Sequence, residues 1–179
     1  WDFENVHIPK GCDANTASTR LREAVQKFGY IVDKRLYYDS EKERSADRSG
    51  LQSSGFTLVD TPTRNKKETL DKHMVADLVD FAWKYRARNM QCIVALVASD
   101  GDYAYALAKA RDLGMRTLVI HGPGTQVAEA LLNQSDAALN WKSDVLGIVE
   151  RASPPAPETP ADEEDAHSTD ELASIADAQ

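Results

Sequence analysis

The sequence predicts an α/β fold whose parallel sheet is assembled from βαβ units, and three observations predict it. Short apolar runs alternate with longer segments of helical periodicity through the first 150 residues, the pattern of strands joined by crossover helices. One run, 93–98, reads IVALVA and is apolar at every position, as expected of a strand covered by helices on both faces. Carboxylates stand directly after four of the runs, at the strand ends where ligands gather in sheets of this kind.

Taken in order, the chain opens at Trp1 with what reads as the end of a strand, so the first strand is expected to be truncated. A helix is expected over 15–28, with Asn15 or Thr16 as its N-cap and Gly29 as its stop. The apolar run 30–38 predicts the second strand and 56–59 the third, separated by a helix over 40–53. A longer helix is expected over 71–88, followed by strand 92–98. The next helix spans 102–113 and ends on Leu113-Gly114, a C-terminal stop signal. Strand 116–121, helix 126–133, a short strand 137–141 and a helix over 142–150 complete the pattern. No internal repeat is visible.

With 179 residues, 42% of them apolar, the chain can bury one sizeable core and is too short for two large domains. Its net charge of −8 argues against a protein that coats nucleic acid through a basic surface. That charge is uneven. From Arg151 onward there are eight acidic residues and one basic one, so the first 150 residues are nearly neutral. The low charge therefore excludes tight, nonspecific coating and no more. Pro154, Pro155, Pro157 and Pro160 lead into an acidic, Ala/Ser-rich stretch with few large apolar residues. Such a stretch buries too little surface to offset chain entropy. One domain is thus expected over 1–150 and a disordered, acidic Pro/Ala-rich tail over 151–179, either a solvated linker or a contact for a protein partner. There is no apolar run long enough for a membrane span, and no signal peptide is expected. Cys12 and Cys92 read as two free thiols in a reducing compartment, with a disulfide as the alternative. An intracellular location, cytoplasmic or nuclear, is expected.

The acids at the strand ends form the candidate site. Asp2, Glu4 and Asn5 follow the first strand, Asp39 the second, Asp60 the third, and Asp100 and Asp102 the fourth. Any one of them alone is ordinary turn chemistry. Their accumulation on one edge is harder to explain that way. In V-A-S-D-G-D-Y, at 97–103, Asp100 falls at the strand tip, Gly101 permits a tight turn, and Asp102 opens or caps the next helix. Asp2 and Asn5, three apart, pair a carboxylate with a carboxamide, oxygen donors suited to hard divalent cations. If the first and fourth strands are neighbours, about 4.8 Å apart, Asp2 and Asp100 can share one ion. On a helical wheel Asp71 lies within about 60° of Met74, Val75, Leu78, Ala82 and Tyr85. It therefore points along the apolar stripe, where a carboxylate must be paired, hydrogen-bonded or metal-bound, although a helix N-terminus also favours an acid. Asp77 lies on the flank of that stripe and reads either way.

Arg64-Asn65-Lys66-Lys67 is the densest basic cluster outside the first helix. It is either a solvated loop or a hold on a phosphodiester backbone. The four histidines show no ligand spacing, and no P-loop, G-x-S-x-G or C-x-x-C motif occurs. His121-Gly122-Pro123-Gly124 reads as a turn after a strand. A phospho-receiver or phosphatase-like domain also clusters acids at strand ends, but it requires a strand-end Lys, which no run here supplies.

Four stretches carry a family resemblance. W-D-F-E-N-V-H-I-P-K-G at 1–11, K-K-E-T-L-D-K-H-M-V-A-D at 66–77, L-V-A-S-D-G-D-Y at 96–103 and H-G-P-G-T-Q-V-A-E-A-L-L at 121–132 resemble an NYN domain. NYN domains belong to the PIN-like ribonuclease superfamily, and the similarity is greatest to the meiosis regulator and mRNA stability factor (limkain-like) type. The resemblance spans about 1–145. It implies a Rossmann-like, three-layer α/β/α sandwich with a mostly parallel sheet, and endoribonuclease cleavage of single-stranded RNA that depends on Mg²⁺ or Mn²⁺. It also implies Asp2, Asp71 and Asp100 as metal ligands, with Asn5 beside them. Asp77 matches a second helix acid of many members, and Asp102 the acid two after the strand tip. Lys72 departs from the pattern, because some relatives carry a second acid there. Arg64, Lys66, Lys67 and Lys72 are the expected RNA contacts. A homodimer is a further expectation. The alternative is an NYN module that binds RNA or protein with weak or no catalysis.

Overall fold

A computed structural model describes residues 1–44, 46–62, 69–122 and 127–148, and the statements below concern those residues. Five helices and five strands alternate: α1 (Ala14–Gln26), β1 (Arg35–Tyr38), α2 (Arg48–Ser53), β2 (Thr57–Asp60), α3 (Thr69–Ala87), β3 (Ile93–Val97), α4 (Ala104–Asp112), β4 (Arg116–His121), α5 (Glu129–Leu132) and β5 (Ala137–Asn140). A 3₁₀ turn, Gly101–Tyr103, precedes α4, and a π-helical turn, Trp141–Val145, follows β5.

Every strand pairing is parallel. β1 pairs with β2, and β4 lies between β3 and β5. Residues 1–3 join these two groups. The Trp1 nitrogen donates to the Arg35 carbonyl at 2.8 Å, the Tyr37 N–H to the Trp1 carbonyl at 2.8 Å and the Phe3 N–H to the Tyr37 carbonyl at 3.0 Å. On the other side the Asp2 N–H donates to the Val97 carbonyl at 3.0 Å. The spatial order is β2, β1, residues 1–3, β3, β4, β5. The chain winds outward in one direction from its N-terminal segment, then returns and winds in the other. This is the doubly wound Rossmann order, with its switch point between Asp2 and the end of β3.

Strand alternation divides the core into two layers. Leu36 and Tyr38 of β1, Val97 of β3, and Leu118 and Ile120 of β4 face one way, packing with Trp1, Phe3, Leu21 of α1 and Trp141. Tyr37, Leu96 and Val119 face the other way, against Leu70 and Met74 of α3, Tyr103, Leu107 of α4 and Leu131 of α5. Helices therefore cover both faces of the sheet, and the domain is a three-layer α/β/α sandwich of the PIN-like kind.

Several boundaries differ from expectation for identifiable reasons. The second strand begins at Arg35, not at 30, because β2 reaches back only to Lys34, whose carbonyl accepts the Thr57 N–H at 2.8 Å, and no ladder continues along 30–33. There a groove of about 610 Å³ opens between β1 and β3, walled by Leu21 and Val25 on one side and Met74 and Leu78 on the other. Tyr30, at its edge, is 98% exposed. The helix expected over 40–53 shrinks to α2. The Asp39 carbonyl closes a turn with the Lys42 and Glu43 N–H groups, and the Asp47 side chain then caps a fresh start by accepting the Gly50 N–H at 2.9 Å. The cap of α1 is Asp13, which accepts the Thr16 N–H at 2.8 Å, not Asn15 or Thr16. The helix expected over 142–150 is a π turn that closes before Gly147, whose φ of +70° is left-handed. Gly114, at φ +84°, stops α4 as its sequence signal predicts.

Both cysteines are free thiols. Among the described residues no helix is long and apolar enough to cross a membrane. The tail expected over 151–179 lies outside the described residues.

Candidate active site

The site follows from the parity of the N-terminal segment. Trp1 and Phe3 face the α1 layer. Asp2, one position between them, must face the α3–α4 layer, and it does so almost completely buried. Its Oδ1 accepts the Asn5 N–H at 3.1 Å. Its Oδ2 lies 2.8 Å from the Tyr103 hydroxyl. The same hydroxyl lies 2.7 Å from Asp71 Oδ1, in the first turn of α3, and 3.4 Å from Met74 Sδ. Asp71 thus points along the apolar stripe, as the helical wheel predicts.

Tyr103 carries one hydroxyl hydrogen, and it stands between two carboxylates. Only one of them can receive that hydrogen, so the three oxygens are one positive particle short of a satisfied set. Burial pushes the Asp2 carboxyl above the usual carboxylate range, and the nearby Asp71 charge adds to the rise, against the bonds from Tyr103 and Asn5. Burial, followed by the Asp2 charge and the bonds to Asp71 and Asp2, also holds the Tyr103 phenol far above its ordinary value. The phenol remains a donor at any physiological pH.

Asp100 stands at the tip of β3, half-buried, and its Oδ1 accepts the Asp102 N–H at 3.0 Å, capping the 3₁₀ turn. The cap is therefore Asp100, and the exposed Asp102 opens the turn. Gly101 is required by close approach and not by left-handed backbone, because a Cβ there would lie 3.0 Å from the Ala128 Cβ. The Asn5 carboxamide oxygen accepts the Ser99 N–H at 2.6 Å, and the Ser99 hydroxyl accepts the Gly122 N–H at 2.8 Å. These bonds lock the end of the N-terminal segment to the ends of β3 and β4. A cleft of about 660 Å³ opens at this junction, lined in part by Asn5, His7, Ser99, Asp100, Gly122 and Lys142.

The expected site residues separate into groups. Asp2 and Asp71 meet at Tyr103. Asp100 and Asn5 stand on the adjacent strand ends beside the cleft. Among the described residues Asp102 meets the other acids only through its backbone N–H, which donates to Asp100. Asp77 is drawn away from the strand-end acids. Its Oδ2 accepts the Tyr37 hydroxyl at 2.6 Å and pairs with Arg35 at 2.9 Å. Lys72 is exposed beside Asp71. Arg64, Lys66 and Lys67 lie outside the described residues. Tyr103 is the residue that sequence reasoning passed over. Its signal was present, as the last letter of S-D-G-D-Y, but a Tyr there reads as one more apolar core position.

The donor chemistry suits a hard divalent ion, since Asp2, Asp71, Asp100 and Asn5 offer oxygens only. The charge shortfall around Tyr103 is an independent reason for a cation here. The side chains are not drawn into an ion-sized cage, however. Among the described residues no three or more His, Cys, Asp or Glu side chains are grouped to hold a metal.

The fold and this acidic switch point define a class, the PIN-like α/β domains. Residues 1–142 match the NYN domain family, and the chain belongs to that family. Such domains are nuclease-like, so the kind of function is that of a nuclease. Among solved structures, a protein of unknown function from Vibrio parahaemolyticus is similar in fold, with a TM-score of 0.56 and 18% identity. That similarity covers 72% of this chain and 77% of the other. No curated protein matches the chain.

Proposed function

We propose that this domain is an endoribonuclease that cuts single-stranded RNA with the help of Mg²⁺ or Mn²⁺. The observation that carries the reading is the Tyr103 hydroxyl held between Asp2 and Asp71 at the switch point. Two carboxylates brought this close, with one hydrogen between them and no cationic side chain bonded to either among the described residues, suit a divalent ion. Asp2, Asp71 and Asp100 would hold it. A bound ion would supply a water of lowered pKa and offset charge building on the scissile phosphate. The protein's own part is placement. Tyr103 and the Asn5 N–H orient Asp2, while the Asn5 carboxamide, fixed by Ser99, leaves its NH₂ to meet a phosphate oxygen or a water. Lys142, which lines the cleft, and Lys72, at the start of α3, would add positive charge that attracts a phosphodiester chain. Arg64, Lys66 and Lys67 would extend that contact.

The relation to the meiosis regulator and mRNA stability factor type rests on the motifs and belongs to this reading. So do the domain limits at 1–150, the tail as a partner contact, and a homodimer. The test is cleavage of a fluorescent single-stranded RNA with Mn²⁺ against EDTA. We expect cutting that stops with EDTA and is lost in Asp100→Asn at unchanged fold. The ungrouped acids and Lys72 favour a second reading, an NYN module that binds RNA without cutting it. RNA binding with no cleavage under Mn²⁺ would select that reading.

A further inference from the structure

Tyr103 is fully buried, at 0% exposure, among Leu107, Leu131 and Met74. For packing alone a Phe would serve. A phenol oxygen placed in an apolar layer is costly unless it is bonded, and here its bonds go to two acids from distant parts of the chain. The backbone of Asp2 is already fixed through Val97 and Tyr37. What Tyr103 adds is the rotamer of the Asp2 side chain, and it does the same for Asp71 in the opening turn of α3. The ring cannot leave without opening the core, so the hydroxyl is a rigid reference point for both side chains.

We propose that Tyr103 is a positioning residue whose hydroxyl clamps the Asp2 and Asp71 carboxylates at a fixed separation, presenting them as one donor pair. The clamp stands on geometry, and it rests on the nuclease reading for the reaction it serves.

The experiment is Tyr103→Phe, which keeps the ring and removes the oxygen. Circular dichroism is expected to be unchanged. Mn²⁺ binding to the RNA-free protein, followed by the electron paramagnetic resonance of free ion, is expected to weaken about tenfold, as for loss of a group that orients a metal ligand. In cleavage assays kcat is expected to fall by a similar factor while KM for RNA stays within about twofold. Unchanged Mn²⁺ affinity and kcat would overturn the proposal, and so would tighter Mn²⁺ binding, which would make the hydroxyl a competitor of the ion. Should the variant not fold, the wild type supplies the second measurement. Its Tyr103 hydroxyl proton is expected as a slowly exchanging signal, and the phenol carbon bearing it is expected to show through-space contact with the carboxyl carbons of both Asp2 and Asp71; a fast-exchanging hydroxyl, or contact with neither or only one carboxyl, would overturn the clamp. If the wild type fails to cut RNA while Tyr103→Phe still weakens Mn²⁺ binding, the nuclease reading falls and the clamp stands.

Discussion

Asp71 and Asp77 sit six positions apart on α3, and each is bonded to a tyrosine hydroxyl from the sheet side of the helix. Their third partners differ in sign. Asp77 has the Arg35 guanidinium at 2.9 Å, whereas Asp71 shares Tyr103 with a second carboxylate, Asp2. The first set is complete: one carboxylate, one phenol, one cation. Burial alone would lower the Arg35 pKa, but its bonds to Tyr37 and Asp77 outweigh that and raise it. Burial and the Asp77 bond likewise raise Tyr37. The second set has a phenol and two carboxylates, and among the described residues no cationic side chain bonds either acid. Sequence distance along one helix does not separate a self-contained bond set from a site; the sign of the third partner does.

The comparison breaks most sharply under substitution of the acids. Asp2→Asn, Asp71→Asn and Asp100→Asn are each expected to lower RNA cleavage by about 100-fold or more, while Asp77→Asn leaves it within about threefold. Comparable losses at Asp71 and Asp77 in the same single-turnover assay would erase the distinction. A smaller effect concerns stability and pH in EDTA. The folded protein raises the Asp2 pKa above the ordinary value near 3.9. Between those two values the folded state holds a proton that the unfolded state has released. The stability contributed by Asp2 is therefore fully present below about pH 4 and is lost as pH rises through its folded pKa. Asp2→Asn lacks this titration. Its Tm relative to wild type is expected to climb with pH from about 4 and then level off. A difference that stays flat or shrinks over that range would contradict the assignment.

At the complete set the expected losses are modest. Arg35 and Asp77 are 39% and 40% exposed, so solvent screens the pair. Arg35→Met should cost about 0.2–1 kcal/mol in urea unfolding, with cleavage retained. A loss of several kcal/mol would mean that the set is more enclosed than this exposure allows. Tyr37→Phe is expected to cost a comparable amount, about 0.5–1.5 kcal/mol from one hydrogen bond, and nothing in cleavage.

Much of this was legible in the sequence. Periodicity located the alternating elements, and strand 116–121 carries the same bounds in the structure. The strand-end acids pointed to the sheet edge where Asp2 and Asp100 stand, and the helical wheel aimed Asp71 toward the core. Boundaries set by partners were not legible. The run 30–38 has a strand's composition along its length, yet only the part with a neighbour pairs. Nor could spacing reveal that Asp77, on the flank of the stripe, meets Arg35 from a strand 42 positions earlier. Tyr103 was hidden for the converse reason. A tyrosine at a core position looks apolar until the three-dimensional partners of its oxygen are known.

The N-terminal segment holds β1 through three backbone bonds and β3 through one. The sheet is therefore unevenly riveted, and its weakest line runs down the switch point. Breathing along that line should require the least free energy of any opening in the sheet. Asp2 travels with the β1 half and Asp100 with the β3 half, so each such excursion stretches the distance between them. A ligand that grips both acids acts as the missing rivet. Its binding energy is shared with the closure of the sheet, and by mass action it raises the resistance of the whole domain to unfolding.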